Sequence, residues 1–263
     1  MMESLVYTQH QFKDLDLIAG FYDLDYGDVD YDLAFYQNFA QRCGSPLLEL
    51  GVGTGRVAIP LAKAGFQVTG IDVSPEMLAM TRAKLDKNLQ KRVRIVQGDM
   101  RQFDLGERFN MAFYALRSFA HLTTTAAQIQ SLECVKSHLA EDGLLLIDLH
   151  NPNLARLVES DRELILAWVK PNPTGEGTIA KFESFTVDPA RQSQQVTFFY
   201  DETDAAGMTR RTIASFALRY FFRYEVELLL DHCGFEIEAL FGSYDLDDYG
   251  PDSEEMIFAA RKR

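Results

Sequence analysis

The sequence predicts an α/β fold: a seven-stranded, mostly parallel sheet with helices on both faces, plus an antiparallel β insert. Short apolar runs alternate with helix-length segments between residues 47 and 149, which is typical of parallel βαβ units with right-handed crossovers. Between about 151 and 218, strand-like segments are separated by turn-rich stretches such as 171–175, which predicts an antiparallel meander. Helix and strand signals then return up to residue 260.

These changes of pattern predict three parts. Residues 1–150 form an N-terminal cap and the α/β core, 151–218 the insert, and 219–263 the remainder of the core. The stretch before Ser45 is rich in aromatic residues, and we expect it to be irregular until a helix that ends near Arg42.

The predicted core strands are 47–50, 66–72, 93–97, 109–116, 144–149, 235–241 and 255–260. The predicted core helices are 57–64, 75–90, 125–139 and 223–233. The second of these helices has the clearest start, because Ser74 fits the N-cap and Pro75 the first helical position. The predicted insert strands are 163–169, 178–187, 194–202 and 209–218.

Composition excludes several classes of function. The 263 residues include 39 acidic and 26 basic ones, which gives a net charge of −13. Such a charge argues against nucleic acid or an anionic membrane surface as a partner, because both attract clustered Lys and Arg. No apolar run reaches the roughly 18–20 residues of a membrane helix, and residues 1–5 have no features of a secretory signal.

The three cysteines, Cys43, Cys134 and Cys233, are far apart in the sequence. They have neither the spacing of a metal site nor that of a disulfide framework. We therefore expect free thiols, a cytoplasmic location and no metal.

The most informative stretch is residues 47–55, where a strand enters a glycine turn that opens a helix. Gly51, Gly53 and Gly55 permit positive φ and let a ligand approach the backbone, and the helix N-terminus behind them offers unpaired N–H groups. Asp72 ends the next strand, 72 − 51 = 21 residues after the first glycine. An acid at about this distance can accept both hydroxyls of a ribose. The pair predicts an adenosine-type ligand.

The glycine spacing separates several nucleotide-binding families. A dinucleotide-binding enzyme prefers Gly-x-Gly-x-x-Gly, and a triphosphate loop needs Gly-Lys-Ser/Thr; neither is present here. The pattern Gly-x-Gly-x-Gly preceded by Glu49 resembles the first motif of the class I S-adenosylmethionine-dependent methyltransferases. A purely structural turn is the alternative interpretation.

Further motifs carry the same resemblance in the same order along the chain. Residues 98–100 follow the third strand, where the family places an acid near the adenine, and 115–123 follow the fourth, where the family forms its reaction pocket. Residues 139–148, 218–225 and 233–236 resemble later family motifs. The resemblance covers roughly 20–150 and 218–260. It implies a Rossmann-like fold, S-adenosylmethionine as cofactor and S-adenosylhomocysteine as product.

The resemblance also implies which residues bind the cofactor. Glu49 would bind the methionyl ammonium, Asp72 the ribose hydroxyls and Asp99 the adenine amino group. The remaining cofactor-binding residues would be Gly51, Gly53, Gly55, Val73, Met77, Met100 and Leu116. For Glu49 and Asp99 the alternative is an acid that only stabilises a turn or a helix N-terminus.

His121 and Tyr22 are the candidate catalytic residues. A neutral imidazole just past the fourth strand could accept a proton from the nucleophile or orient it, and a His in this stretch serves the acceptor in similar aminosugar N-methyltransferases. Tyr22-Asp23 matches a Tyr-Asp pair that approaches the cofactor in similar small-molecule enzymes. The alternative for both is a structural role, and for the nearby Tyr26 and Tyr31 that alternative is favoured.

Arg117, Arg219 and Tyr220 are the candidate substrate-binding residues. A cation at Arg117 could bind a carboxylate or phosphate of the acceptor, or pair with a surface acid. His150 and Asn151, which end the fifth strand, could also reach the acceptor, although a structural role is favoured for them.

The predicted function is methylation of a small-molecule acceptor by in-line displacement. Nitrogen is preferred over oxygen because the chain resembles glycine, sarcosine and aminosugar methyltransferases. The alternatives are O-methylation, a non-catalytic cofactor-binding accessory protein and, more distantly, a nicotinamide-dependent oxidoreductase. The insert is expected to act as a lid over the acceptor, or to form the contact of a homodimer.

Overall fold

The computed structural model describes residues 2–263, and side chains from Asp14 onward. The chain divides into two compact units. One, the core unit, consists of residues 22–152 and 220–263. The other, the insert unit, consists of residues 153–219 and the chain through Phe21.

The chain contains strands at positions close to those that the sequence predicts. In chain order they are β1 Leu47–Leu50, β2 Val68–Asp72, β3 Val93–Gln97, β4 Phe109–Tyr114, β5 Leu139–His150, β6 Leu164–Pro171, β7 Thr178–Asp188, β8 Ser193–Thr203, β9 Thr209–Arg219, β10 Phe235–Phe241 and β11 Glu255–Lys262. The α-helices are α1 Met2–Tyr26, α2 Leu33–Cys43, α3 Ala58–Lys63, α4 Pro75–Ala83, α5 Thr125–His138, α6 Leu154–Glu159 and α7 Arg223–His232.

Seven strands of the core unit form one sheet in the order β10-β11-β5-β4-β1-β2-β3. The five strands from β5 to β3 pair in parallel, and β11 is antiparallel to both β5 and β10. The strand order reverses between β1 and β4. Open α/β sheets bind their ligands at the carboxyl ends of the strands at such a switch point.

The insert unit contains the second sheet, in which β6, β7, β8 and β9 pair antiparallel in chain order. The predicted fold class, a seven-stranded, mostly parallel sheet with a separate antiparallel insert, is confirmed. The expected role of the insert as a lid stays a prediction.

Three local predictions are wrong. The expected irregular N-terminus is helix α1, whose sequence contains no proline to break it. The helix predicted to reach residue 90 ends at Ala83, because the Asp86 carboxylate accepts the N–H groups of Asn88 and Leu89 and caps a separate 3₁₀ turn, Leu89–Lys91. Helix α6 was not predicted, although Asn153 caps it in the ordinary way.

The main core lies between α2, α3 and the central strands. Phe35, Tyr36 and Phe39 of α2 bury their rings in the same cluster as Leu47 of β1 and Phe113 of β4. The rings of Tyr36 and Phe113 lie 5.0 Å apart. Truncation of a ring buried in this way typically costs about 3–5 kcal/mol, so this cluster fixes the strands from which the site emerges.

No helix among residues 2–263 is both long enough and apolar enough to cross a membrane.

Candidate functional site

The glycine turn after β1 requires glycine at each of the three positions. Gly51, Gly53 and Gly55 have φ values of 78°, 53° and 81°, a region that side chains rarely adopt. A Cβ on Gly51 would lie 2.8 Å from Cβ of Ser118, and one on Gly55 would lie 2.9 Å from side-chain atoms of Ile59 and Thr81. The turn is therefore fixed by backbone conformation and by close packing.

Asp72 lies at the carboxyl end of β2 and holds this turn. One carboxylate oxygen accepts the N–H of Gly53 at 2.9 Å, and the other accepts the N–H of Ser74 at 2.9 Å. A carboxylate has about four lone-pair positions, and these two backbone bonds are divided evenly between the two oxygens. This arrangement suits two adjacent hydroxyl groups.

Glu49 lies in the middle of β1 and is 3% exposed. Its carboxyl accepts the N–H of Ala58, and its Oε2 has no hydrogen-bond partner among the described residues. Burial raises the pKa of Glu49 to about 8, against the lowering effect of Arg56. A buried acid with an unsatisfied oxygen favours a bound cation.

Tyr22 lies against the glycine turn. Its ring comes within 3.7 Å of the position that a Cβ on Gly53 would occupy, and 4.8 Å separates the ring centroids of Tyr22 and Tyr26. Burial and then Tyr26 raise the pKa of Tyr22, which keeps the phenol protonated. The adjoining Asp23 accepts the Thr54 hydroxyl at 2.7 Å, so both residues of the predicted pair contact the turn.

A second contact that the sequence did not predict holds the same turn. Arg56 donates two hydrogen bonds of 2.6 Å to the buried Asp32 and a third of 3.1 Å to the carbonyl of Val29. This bidentate pair joins the segment before α2 to the residue after Gly55. Acids are abundant between residues 23 and 32, and nothing in their spacing singles out Asp32.

Asp99 forms an ion pair with Arg101, which is not among the candidate residues named from the sequence. Arg101 donates to both carboxylate oxygens, from Nε at 3.0 and 2.9 Å and from Nη2 at 2.5 Å, and its backbone N–H adds a bond of 2.9 Å. Burial raises the pKa of Asp99, but these hydrogen bonds outweigh it and leave the pKa below its ordinary value. A further donor at Asp99 has to compete with Arg101.

The other predicted cofactor residues occupy neighbouring positions. Met77 is buried, and its N–H donates to the Ser74 side chain at 3.1 Å. The carbonyl of Met100 accepts the Ser131 hydroxyl at 2.7 Å, and that of Val73 accepts the Gln97 amide at 3.3 Å.

The segment after β4 has an unusual backbone. Leu116 and Arg117 have φ values of 47° and 61°, and two consecutive residues with positive φ and no glycine store local backbone strain. A 3₁₀ turn, Ser118–His121, follows, in which Ser118 donates to the carbonyl of Leu50 at 2.7 Å. Burial lowers the pKa of His121 to about 4, so its imidazole is neutral at physiological pH.

Arg117 belongs to a cluster of charged side chains with Glu255 and Asp148, which the sequence did not predict. It forms an ion pair with Glu255 at the start of β11. Burial raises the pKa of Glu255 to about 7, although Arg117 opposes this. Burial also lowers the pKa of Arg117, but Asp148 and Glu255 outweigh this and raise it. The cation predicted to bind substrate is thus surrounded by the protein's own carboxylates.

Asp148 is the most buried member of this cluster. It is 0% exposed, lies in β5, and accepts the Tyr244 hydroxyl at 2.6 Å and the Tyr36 hydroxyl at 3.4 Å. Burial raises the pKa of Asp148, while Arg117 and then Tyr244 and the N–H of Leu116 lower it less. Asp148 therefore links the segment after β4 to the loop after β10.

A cavity of about 860 Å³ opens beside this cluster. Tyr31, Arg117 and His150 line one part of it, and residues of the loop 242–255 line the rest. The loop is rich in acids, and the rings of Tyr31 and Tyr244 are 5.4 Å apart. All of these residues belong to the core unit.

The other candidate substrate-binding residues do not line this cavity. Arg219 ends β9 in the insert unit, where it donates to the carbonyl of Arg191 at 3.4 Å, whereas Tyr220 belongs to the core unit and packs near Phe222. Asn151 donates to the carbonyl of Ser253 at 2.8 Å and accepts the Tyr249 hydroxyl at 2.9 Å, which is a structural arrangement.

Comparisons with known proteins agree with the resemblance stated from the sequence. Residues 47–143 match a family model described as a methyltransferase domain. The chain is 24% identical over 267 residues to the cypemycin N-terminal methyltransferase of a Streptomyces species, and the match covers 100% of both chains. It is 30% identical over 138 residues to the dTDP-3-amino-3,6-dideoxy-alpha-D-glucopyranose N,N-dimethyltransferase of Streptomyces fradiae, covering 50% of this chain and 52% of that one.

A similar solved structure is the CcbJ methyltransferase from Streptomyces caelestis. It superposes with a TM-score of 0.80 at 25% identity, over 95% of this chain and 97% of the other. The likeness therefore extends well beyond the glycine turn.

Proposed function

We propose that this chain, a class I S-adenosylmethionine-dependent methyltransferase, methylates a nitrogen of a small-molecule amine. S-adenosylmethionine is its cofactor. Transfer to a small amine is our proposal, and it is supported by the relative from Streptomyces fradiae, whose name describes dimethylation of an amino sugar nitrogen.

The residues of the core unit fit the cofactor. The unsatisfied, buried Oε2 of Glu49 suits the methionyl ammonium, and the carboxylate of Asp72, at the carboxyl end of β2 beside the glycine turn, suits the ribose hydroxyls. The glycine turn leaves room for a ligand against the backbone, with Tyr22 beside Gly53. When bound, S-adenosylmethionine supplies a methyl group on a sulfonium sulfur, which a nucleophile displaces in line.

The observation that carries the preference for nitrogen is the buried, neutral His121. With a pKa near 4, it is too weak a base to deprotonate a hydroxyl group, because general bases work best near the operating pH. An amine that arrives as an ammonium ion loses one proton to solvent, and the neutral form is then nucleophilic and needs only orientation. We assign His121 to accept a hydrogen bond from the amine and to point its lone pair at the methyl group.

Release of S-adenosylhomocysteine from a panel of amines and their hydroxyl analogues tests the reaction. We expect turnover with amines. Turnover confined to the hydroxyl analogues would establish O-methylation instead, and tight cofactor binding without turnover of any acceptor would indicate an accessory protein.

Two substitutions test the assignment of His121. His121→Ala should lower kcat by about 10²-fold and leave the affinity for S-adenosylhomocysteine unchanged, and His121→Gln should recover part of the rate because an amide can still accept a hydrogen bond. An unchanged rate in His121→Ala would remove the residue from the mechanism. No recovery in His121→Gln would point to a proton-accepting role.

A further inference from the structure

We infer that the cavity beside β5 and β11 binds the methyl acceptor and selects amines that carry no carboxylate or phosphate. This inference rests on the proposed methyl transfer and names its class of substrate. It is carried by the position of the cavity, by the sign of its charge and by buried carboxylate oxygens without partners.

The cavity adjoins the glycine turn through a continuous set of contacts. Arg117 lines the cavity, and the next residue, Ser118, donates to the carbonyl of Leu50 and packs against Gly51. The N–H of Leu116 donates to Asp148. Ser118 thus connects the cavity wall to the end of β1, where the methionine part of the cofactor is proposed to bind, and Leu116 connects it to β5.

The charge of the lining is strongly negative. Its acidic residues are Asp245, Asp247, Asp252, Glu254 and Glu255. Against these stands Arg117, whose guanidinium pairs with Glu255. The imidazole Nδ1 of His150 lies 3.6 Å from Glu255 Oε2. A cavity lined by charges of one sign concentrates the field and attracts ions of the opposite sign. An acceptor with a carboxylate or a phosphate would be repelled.

One oxygen of this wall, on Glu255, and one on Asp148, which does not line the cavity but is bonded to the lining residue Tyr244, also favour a cationic ligand. Oδ1 of Asp148 and Oε2 of Glu255 are buried and have no hydrogen-bond partner among the described residues. Asp148 is fully buried and is bonded to Tyr244, which lines the cavity. The rings of Tyr31 and Tyr244 provide π-faces at the same wall, and such faces attract ammonium groups.

This geometry favours the alternative interpretation of Arg117, in which it pairs with an acid. Its partners Glu255 and Asp148 compensate its charge, so it holds the acids of the wall in place and does not present a free cation to a substrate carboxylate. Amino acids such as glycine and sarcosine, and sugars linked to nucleoside diphosphates, all carry the anionic groups that this wall disfavours.

Matched pairs of amines test the inference: tyramine against tyrosine, ethanolamine against phosphoethanolamine, and glucosamine against glucosamine 6-phosphate. Each is measured for kcat/KM and, by calorimetry in the presence of S-adenosylhomocysteine, for equilibrium binding. We expect the member without the anionic group to be preferred at least about tenfold in kcat/KM or in binding. Preference for the anionic members, or none, overturns the inference.

The double variant Asp252→Asn/Glu254→Gln removes two charges of the wall. It should raise KM for the preferred amine about three- to tenfold, weaken the salt dependence of kcat/KM, and leave kcat and the affinity for S-adenosylhomocysteine unchanged. The control is Glu141→Gln, an exposed acid near the opposite end of β5, which should leave all four unchanged.

Binding separates this inference from the proposed function. If acidic acceptors are methylated and the double variant behaves like Glu141→Gln, methyl transfer stands and the selection by charge is wrong. If no amine turns over, the proposed function fails, and the calorimetric preference within each pair still decides whether the cavity selects cations.

Discussion

The glycine turn and the acidic cavity lie in the same unit of the protein but are built in different ways. At the turn, Glu49, the three glycines and Asp72 lie within 24 residues of one another, and the ties are short hydrogen bonds to backbone N–H groups. At the cavity, Tyr31, Arg117, Asp148 and the loop 242–255 come from four separate parts of the chain. The first arrangement is local, whereas the second exists only because β5 lies between β4 and β11.

The largest expected effect comes from Asp72, whose loss should damage the turn and its ligand together. Asp72→Ala should lower the affinity for S-adenosylhomocysteine about 100- to 1,000-fold, because it removes the two charge-assisted hydrogen bonds that we propose to ribose and frees the N–H groups of Gly53 and Ser74. Titration calorimetry measures this directly.

Asp86→Ala is a matched control for that variant. Asp86 also accepts two backbone N–H groups, each at 2.8 Å, but at the 3₁₀ turn after α4. It should lose some stability and keep its affinity for S-adenosylhomocysteine. Equal affinities in the two variants would show that Asp72 does not hold the ribose.

The free energy of unfolding tests the hydrogen bond between Tyr244 and Asp148 beside the cavity. Tyr244→Phe removes the 2.6 Å hydrogen bond to Oδ2 of the buried Asp148 and leaves the contacts with the Tyr36 hydroxyl at 3.4 Å and with the N–H of Leu116. A buried acceptor that loses its strongest hydrogen bond costs about 1–3 kcal/mol. Urea unfolding should detect this loss, and cofactor affinity should not change. In Tyr249→Phe, the control, the lost partner is the neutral amide of Asn151, so we expect a smaller cost. An equal cost would indicate that the hydrogen bond to Asp148 contributes no more than one to a neutral amide.

Glu49 predicts a pH dependence that belongs to the turn alone. Its pKa is raised to about 8 in the folded protein, against about 4.3 in an unfolded chain, so the folded state favours the neutral acid. The stability from this effect is complete below about pH 4 and is lost as pH rises towards 8. A bound ammonium favours the ionised form, so affinity for S-adenosylhomocysteine should increase about tenfold from pH 6 to pH 8.

Glu49→Gln should abolish that pH dependence. The variant should bind S-adenosylhomocysteine equally at pH 6 and pH 8, and its Tm should exceed that of the unaltered protein by a margin that grows over this interval. Glu141→Gln should retain the original profile. A profile in Glu49→Gln that still rises with pH would assign the titration to another group.

The sequence predicts the turn well because its function depends on residue type and short spacing. Glycine at positive φ and an acid at the end of the next strand are visible in one chain, and β1 and β3 have the bounds that the sequence predicts. The cavity could not be predicted in the same way. Asp148 reads as one more residue of an apolar strand, and Glu255 as an acid at a strand edge. Only the sheet order brings both to Arg117.

The N-terminal helix was missed for a related reason. Its apolar residues do not follow a 3.6-residue period that would distinguish one buried face, and periodicity is the main signal for a helix in a single sequence. Tyr22 was nevertheless a sound candidate, because its match to a Tyr-Asp pair does not depend on the element that carries it. Its proposed contact with the cofactor stays a prediction, as do the homodimer and the cytoplasmic location.

The smallest expected effect concerns Arg101, the ion-pair partner of Asp99. Arg101 occupies both oxygens of Asp99, yet both side chains are partly exposed, at 27% and 32%, and exposed ion pairs contribute little free energy. If the adenine amino group displaces Arg101, Arg101→Ala should change affinity for S-adenosylhomocysteine by less than about threefold, towards tighter binding, whereas Asp99→Asn should weaken it about tenfold. A large loss of affinity in Arg101→Ala would mean that the ion pair itself contacts the adenine, and that the carboxylate acts only through its partner.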